Sequence, residues 1–109
     1  MSNYVYELRQ YRTFPGKRDE FVRLMNDEVI PFQRECGVDV VGTFVSADDP
    51  ELYVWIRRFE DLEARDRVSE AIYTNSRWKE DFDGPIRDMI DYSRVRVTTL
   101  NDASSLLGV

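Results

Sequence analysis

Two runs of the chain, Val38-Asp39-Val40-Val41-Gly42-Thr43-Phe44-Val45-Ser46 and Glu51-Leu52-Tyr53-Val54-Trp55-Ile56-Arg57-Arg58-Phe59, are joined by Ala47-Asp48-Asp49-Pro50. Both runs are rich in β-branched and aromatic residues, and the four residues between them carry turn chemistry. They predict the two strands of a central hairpin. Upstream, Phe21, Leu24, Met25, Val29, Phe32 and Cys36 recur in steps of three or four and mark one face of a helix. Asp19 and Glu20 suit its first turn, and Gly37 suits a left-handed cap at its end. Pro31 lies inside it and predicts a bend or a split, because its ring removes a donor and clashes with the carbonyl four residues back. Before that helix, Tyr4 to Tyr11 reads as a strand stopped by Pro15-Gly16.

Downstream of the hairpin, Asp61 is placed to cap a second helix with Leu62, Val68, Ile72 and Tyr73 on its apolar side, ending at Asn75-Ser76. A shorter amphipathic stretch follows through Trp78, Phe82, Ile86, Met89 and Ile90, with Gly84-Pro85 expected to divide it. Tyr92 to Leu100 alternates as a half-buried strand. The order is β-α-β-β-α-β, the α+β ferredoxin-like pattern, with both helices on one face of a four-stranded antiparallel sheet. Residues 1–100 are read as one domain and 101–109 as a tail, with Leu106 and Leu107 expected to dock on a partner subunit.

Composition narrows the function. The 109 residues carry 15 basic and 21 acidic side chains, a net charge of −6, and no histidine. An acidic chain lacks the basic stripe that nucleic acid requires. Without histidine there is no imidazole-ligated haem, no histidine-based zinc or iron site and no Ser-His or Cys-His pair. The single cysteine, Cys36, makes no internal disulfide; it fits a reducing compartment and reads as an inert buried thiol. No stretch of about 18 apolar residues is present to span a membrane, and Glu7 and Arg9 interrupt any secretory core near Met1. The expectation is a cytoplasmic protein without cofactor or metal, colourless when purified.

The alternation of the third strand leaves its facing open. If Leu52, Val54 and Ile56 meet the helices, then Tyr53, Trp55, Arg57 and Phe59 lie on the bare face. Two such faces packed together would cover Trp55 and Phe59, which predicts a homodimer enclosing a barrel-like cavity.

The run Tyr6-Glu7-Leu8-Arg9-Gln10-Tyr11, followed by Pro15-Gly16-Lys17 and Phe21, resembles the opening of the NIPSNAP family. Val41-Gly42-Thr43-Phe44, Phe59-Glu60-Asp61-Leu62-Glu63-Ala64-Arg65, Ala71 and Trp78 are similar to its later pattern. The chain departs from that pattern at Ser76-Arg77, where the family often has Asp-Pro, and at Arg57-Arg58. The resemblance covers most of residues 4–100 and implies the dimeric α+β barrel superfamily. That superfamily holds cofactor-free monooxygenases, lactone isomerases, small cyclases and haem enzymes, and the NIPSNAP family has no single reaction.

Alternation puts Glu7, Arg9 and Tyr11 on one face of the first strand. If Leu8 points at the helices, this carboxylate, guanidinium and phenol project into the cavity together, within reach of Arg57, Arg94 and Arg96. An excess of guanidiniums in a partly dry site matches a ligand carboxylate or enolate. The competing reading is that Glu7 pairs with Arg9 or Arg57 and holds the strands in register, or that the arginines end in solvent. Phe44, Trp55 and Trp78 are candidates for an aromatic wall, and the competing reading makes them plain core. With Glu7 as base and Tyr11 positioning an enolate, an aromatic or polyketide-like anion would undergo isomerisation, cyclisation or oxygenation without cofactor. The alternative is a non-catalytic dimer that meets a partner through outer charges such as Lys17, Arg18, Glu63 and Arg67.

Overall fold

A computed structural model describes residues 4–104. β1 (Val5–Arg12), β2 (Asp39–Val45), β3 (Leu52–Phe59) and β4 (Arg96–Asn101) form one antiparallel sheet in the order β2-β3-β1-β4. Segments α1 (Arg18–Leu24) and α2 (Ile30–Glu35) link β1 to β2, while α3 (Leu62–Tyr73) and α4 (Asp83–Met89) link β3 to β4. This is the ferredoxin-like α+β arrangement. The core lies between sheet and helices, where Tyr53, Trp55 and Phe59 meet Phe21, Met25, Phe32, Ile72 and Phe82. The expected tail contacts of Leu106 and Leu107 lie outside the described residues.

Pro31 does not split its helix. A π-helical turn, Met25–Val29, joins α1 to α2, and the Ile30 N–H donates to the Met25 carbonyl five residues back. The wider turn ends just before Pro31, at the start of α2, where a missing N–H leaves no gap in the ladder. The same device recurs before Pro85. The π turn Trp78–Phe82 runs straight into α4, so the division expected at Gly84-Pro85 is replaced by continuous helix. Gly37 has a φ of +103°, its N–H bonds to the Arg34 carbonyl, and the Val38 N–H bonds to that of Gln33. Those bonds make the left-handed cap that turns the chain into β2.

The facing of β3 is the reverse of the one entertained from sequence. Tyr53, Trp55, Arg57 and Phe59 point at the helices and are buried, whereas Leu52, Val54 and Ile56 lie half-buried on the open face. A period of two separates the rows without saying which is inside. Volume and pairing decide it: three rings fill the space above the sheet, and Arg57 finds its partner there. The dimer argument built on a bare Trp55-Phe59 row therefore does not apply.

The last strand also differs. Tyr92–Arg94 is a 3-10 turn, held where the Ser93 N–H donates to Asp91 Oδ1, and β4 starts only at Arg96. Every residue of β4 is exposed, because it is an edge strand beyond the cover of the helices. Among the described residues, no helix is long and apolar enough to cross a membrane.

Candidate functional site

The helix-facing stripe of β1 and β3 is a ladder of cross-strand pairs: Val5 with Phe59, Glu7 with Arg57, Arg9 with Trp55 and Tyr11 with Tyr53. Glu7 and Arg57, directly opposite each other, are 6% and 1% exposed. Arg57 donates from Nε at 2.9 Å and Nη2 at 2.6 Å to Glu7 Oε1. The same oxygen accepts from Arg9 Nη1 at 3.0 Å. Burial pushes the Glu7 carboxyl up, but Arg57 and then Arg9 outweigh it, and the net shift is below the usual carboxylate range. Burial also opposes the charge on Arg9, yet Tyr11, Tyr73 and Glu7 outweigh that too, so the guanidinium is held charged more firmly than usual.

Each arginine carries the network one step further. Arg57 Nη1 donates to Gln33 Oε1 at 2.9 Å, and Arg9 Nε donates to the Tyr11 hydroxyl oxygen at 2.8 Å. Both guanidiniums also lie against Trp55, 5.5 Å and 6.0 Å from a ring centre. The Trp55 indole N–H is buried and has no hydrogen-bond partner among the described residues.

Beside this network a cavity of about 320 Å³ opens between sheet and helices. Its floor is Arg9, Tyr11 and Trp55, and one wall is Met25, Val29 and Gln33. Tyr73 and Trp78, packed edge to face at 5.0 Å, form the opposite wall. Asp83, Arg87 and Tyr92 also border it. Arg87 Nε bonds to Asp83 Oδ2 at 3.0 Å and its guanidinium lies 4.6 Å from the Tyr92 ring centre. Burial, aided by Asp83, pushes the Tyr92 phenol up to about 12. The cavity and the network behind it hold three guanidiniums (Arg9, Arg57, Arg87) and two carboxylates (Glu7, Asp83), leaving one positive charge in excess.

Of the residues singled out from sequence, Arg9, Tyr11, Trp55 and Trp78 line this cavity, and Glu7 and Arg57 brace it from behind. Glu7, Arg9 and Tyr11 share one face as alternation requires. That face looks at the helices, and the space is bordered by residues of a single chain. Three residues fall elsewhere: Arg94, in the 3-10 turn before β4, and two that lie on the open face. Phe44 is 56% exposed and pairs with Val54 on the open face. Arg96 pairs with Gln10 on that same face and lines a separate polar cleft with Arg12 and Arg94. Both depart from the cavity because their strands present the other parity there. Cys36 is partly exposed, and burial, with Glu35, raises its thiol pKa.

Gln33, Tyr73, Asp83, Arg87 and Tyr92 were not anticipated. Gln33 had a visible signal, a polar residue on the apolar face between Val29 and Cys36. Asp83 and Arg87 stand at an i,i+4 spacing that favours an ion pair. Tyr73 and Tyr92 had none, since only the closure of α3 and the 3-10 turn over the sheet brings them in.

Among the described residues, no group of three or more Cys, Asp or Glu is placed to hold a metal. No curated protein matches the chain. An uncharacterized NIPSNAP-like domain protein from Burkholderia xenovorans is 25% identical, with a TM-score of 0.86 over 95% of this chain and 89% of its own. A NIPSNAP family protein with unknown function from Agrobacterium tumefaciens is 28% identical, with a TM-score of 0.83 over 94% of this chain and 90% of its own. A protein from Shewanella oneidensis at 16% identity and a TM-score of 0.68, over 94% of this chain and 93% of its own, shares the fold alone. The family model for NIPSNAP matches residues 6–105, so this chain belongs to the NIPSNAP family.

Proposed function

We propose that this NIPSNAP protein binds a small, largely apolar compound bearing an anionic oxygen, of aromatic or polyketide-like type, in the cavity between sheet and helices, and does so without a cofactor. The observation that carries the reading is the convergence of the Arg9 guanidinium and the Tyr11 hydroxyl on one aromatic-walled space between sheet and helices. A cavity of this size and lining is typical of small-molecule sites, and buried donors beside an excess cation favour an oxyanion. The same donors would also stabilise an enolate, which keeps cofactor-independent isomerisation, cyclisation or oxygenation within the reading. Glu7 takes a positioning part: clamped by two guanidiniums, its carboxylate is a weaker base than an ordinary one.

We further propose a homodimer through the open sheet face. There Leu8, Val54 and Ile56 are only half-covered, and Phe44 and Leu100 are exposed.

A thermal-shift screen with hydrophobic carboxylates and phenols tests the binding site. A ligand at 100 times its dissociation constant is expected to add about 2.7 kcal/mol of stability, and the gain is expected to vanish in a folded Arg9→Ala protein. Stabilisation that survives this change, or the failure of every compound, overturns the assignment and favours the interaction-protein alternative.

A further inference from the structure

The polar cleft on the open face of the sheet, at the corner where β4 begins, measures about 490 Å³, and Gln10, Arg12, Ser93, Arg94 and Arg96 border it. Phe44 stands on the opposite edge strand, and Leu100 lies toward the far end of β4. Arg96 faces Gln10 in the β1-β4 ladder, and Arg12 is two residues further along the same face of β1. Backbone bonds hold Arg94 beside them. The Asp91 N–H donates to the Arg12 carbonyl at 2.8 Å, and the Arg94 N–H donates to the Asp91 carbonyl at 3.1 Å. Three like charges thus converge on one cleft, although the chain has 21 acidic residues that could answer them. Arg12 has a carboxylate partner in Asp49. Among the described residues, Arg94 and Arg96 make no ion pair and no side-chain hydrogen bond, and both are exposed. Asp91, close by in the chain, accepts the Ser93 N–H and hydroxyl at 3.0 Å and 2.6 Å and does not border the cleft.

We propose that this cleft binds a phosphate group carried by a soluble small molecule, at a site separate from the cavity between sheet and helices and independent of the reading given for that cavity. Three guanidiniums and one carboxylate leave two positive charges in excess. A phosphate monoester brings about −1.5 to −2 charges at neutral pH and three acceptor oxygens, and guanidinium forks match such oxygens in pairs. The Gln10 amide adds a neutral donor. A carboxylate ligand would answer one of the two charges. Like charges facing each other across strands destabilise a sheet, so a bound dianion also relieves their repulsion. The positive patch is local. The chain as a whole carries −6, which repels a nucleic acid strand or an anionic bilayer. A small dianion meets the cleft alone, because more distant charges are screened beyond about 8–10 Å.

The test is titration calorimetry on the full chain at about pH 8, where ethyl phosphate is a dianion, against ethyl sulfate, which keeps three terminal oxygens and carries one charge. Saturable binding of ethyl phosphate is expected, at least about tenfold tighter than that of the sulfate, since hydrogen bonds to charged groups are the stronger kind. Arg94→Gln combined with Arg96→Gln is expected to weaken ethyl phosphate at least about tenfold. Arg23→Gln, which removes an exposed charge from the last turn of α1, is expected to bind it as the wild type does. If the double glutamine variant does not fold, Arg94→Lys with Arg96→Lys decides: it keeps the charges, loses the forks, and should bind several-fold more weakly. No saturable binding of ethyl phosphate, equal affinity for the sulfate, or a double variant that binds like the wild type overturns the site. Sedimentation with phosphatidate vesicles in place of ethyl phosphate binding overturns the soluble ligand. Neither probe has an aromatic body for the cavity, so failure here leaves the reading of that cavity standing.

Discussion

At the scale of single residues, Glu7, buried between sheet and helices, gathers three hydrogen bonds from two arginines on one oxygen. Removing its charge leaves the Arg57 guanidinium, 1% exposed, with no counter-ion. Breaking a buried pair from one side costs about 3–5 kcal/mol, so Glu7→Gln is expected to lose stability on that scale in urea denaturation. The acid limb carries a second signature. The native pKa of Glu7 lies below its ordinary 4.5. The unfolded chain therefore takes up the proton first, and the ion network's contribution is complete above about that pH. It falls away as the pH drops through the lowered native value. The stability gap between wild type and Glu7→Gln should accordingly narrow below pH 4.5 and stay constant above it. A gap that does not change with acidity would show that the carboxylate's charge contributes nothing.

At the scale of elements, the helices are shaped by how they begin, widen and end. Asp61 Oδ1 accepts the Ala64 N–H at 2.7 Å and starts α3. Asp61→Ala is expected to cost about 1 kcal/mol, the usual worth of an N-cap. Gly37 has room for a methyl group, whose nearest neighbour would be Val68 at 3.8 Å, so the penalty in Gly37→Ala is backbone strain at positive φ. Left-handed backbone costs a side chain about 1–2 kcal/mol, and thermal unfolding should show a loss of that order. The reading of Pro31 and Pro85 as helix breakers was half right, because the local rule about a missing N–H holds. How the chain obeys it was not legible: a π turn is tolerable only when packing rewards the shifted register, and here Met25, Val29 and Phe82 are buried by it.

At the scale of the whole molecule, the open face and the β4 edge are where surface remains to be covered. The proposed dimer should scatter light as twice the 12.9 kDa of one chain. Ile56→Asp should shift it toward monomer by placing an unpaired carboxylate in the contact, and a wild-type chain that stays monomeric at high concentration would end the proposal. Trp55→Asp, by contrast, falls inside the core and cavity. It should unfold the protein rather than dissociate it.

The order of elements, the hairpin, the Asp61 and Gly37 caps and the shared face of Glu7, Arg9 and Tyr11 were all local consequences of periodicity and turn chemistry, and the sequence by itself determined them. Which sheet face the helices cover was decided only in three dimensions. Alternation with period two is symmetric between the faces, and it is broken by fitting three large rings and one ion network against two particular helical limbs. That choice carried Phe44 and Arg96 out of the site and brought Gln33, Tyr73 and Tyr92 in. It also set the surroundings of Glu7, because a carboxylate's basicity depends on what lies beside it across the sheet, and Arg57 stands 50 residues further along the chain.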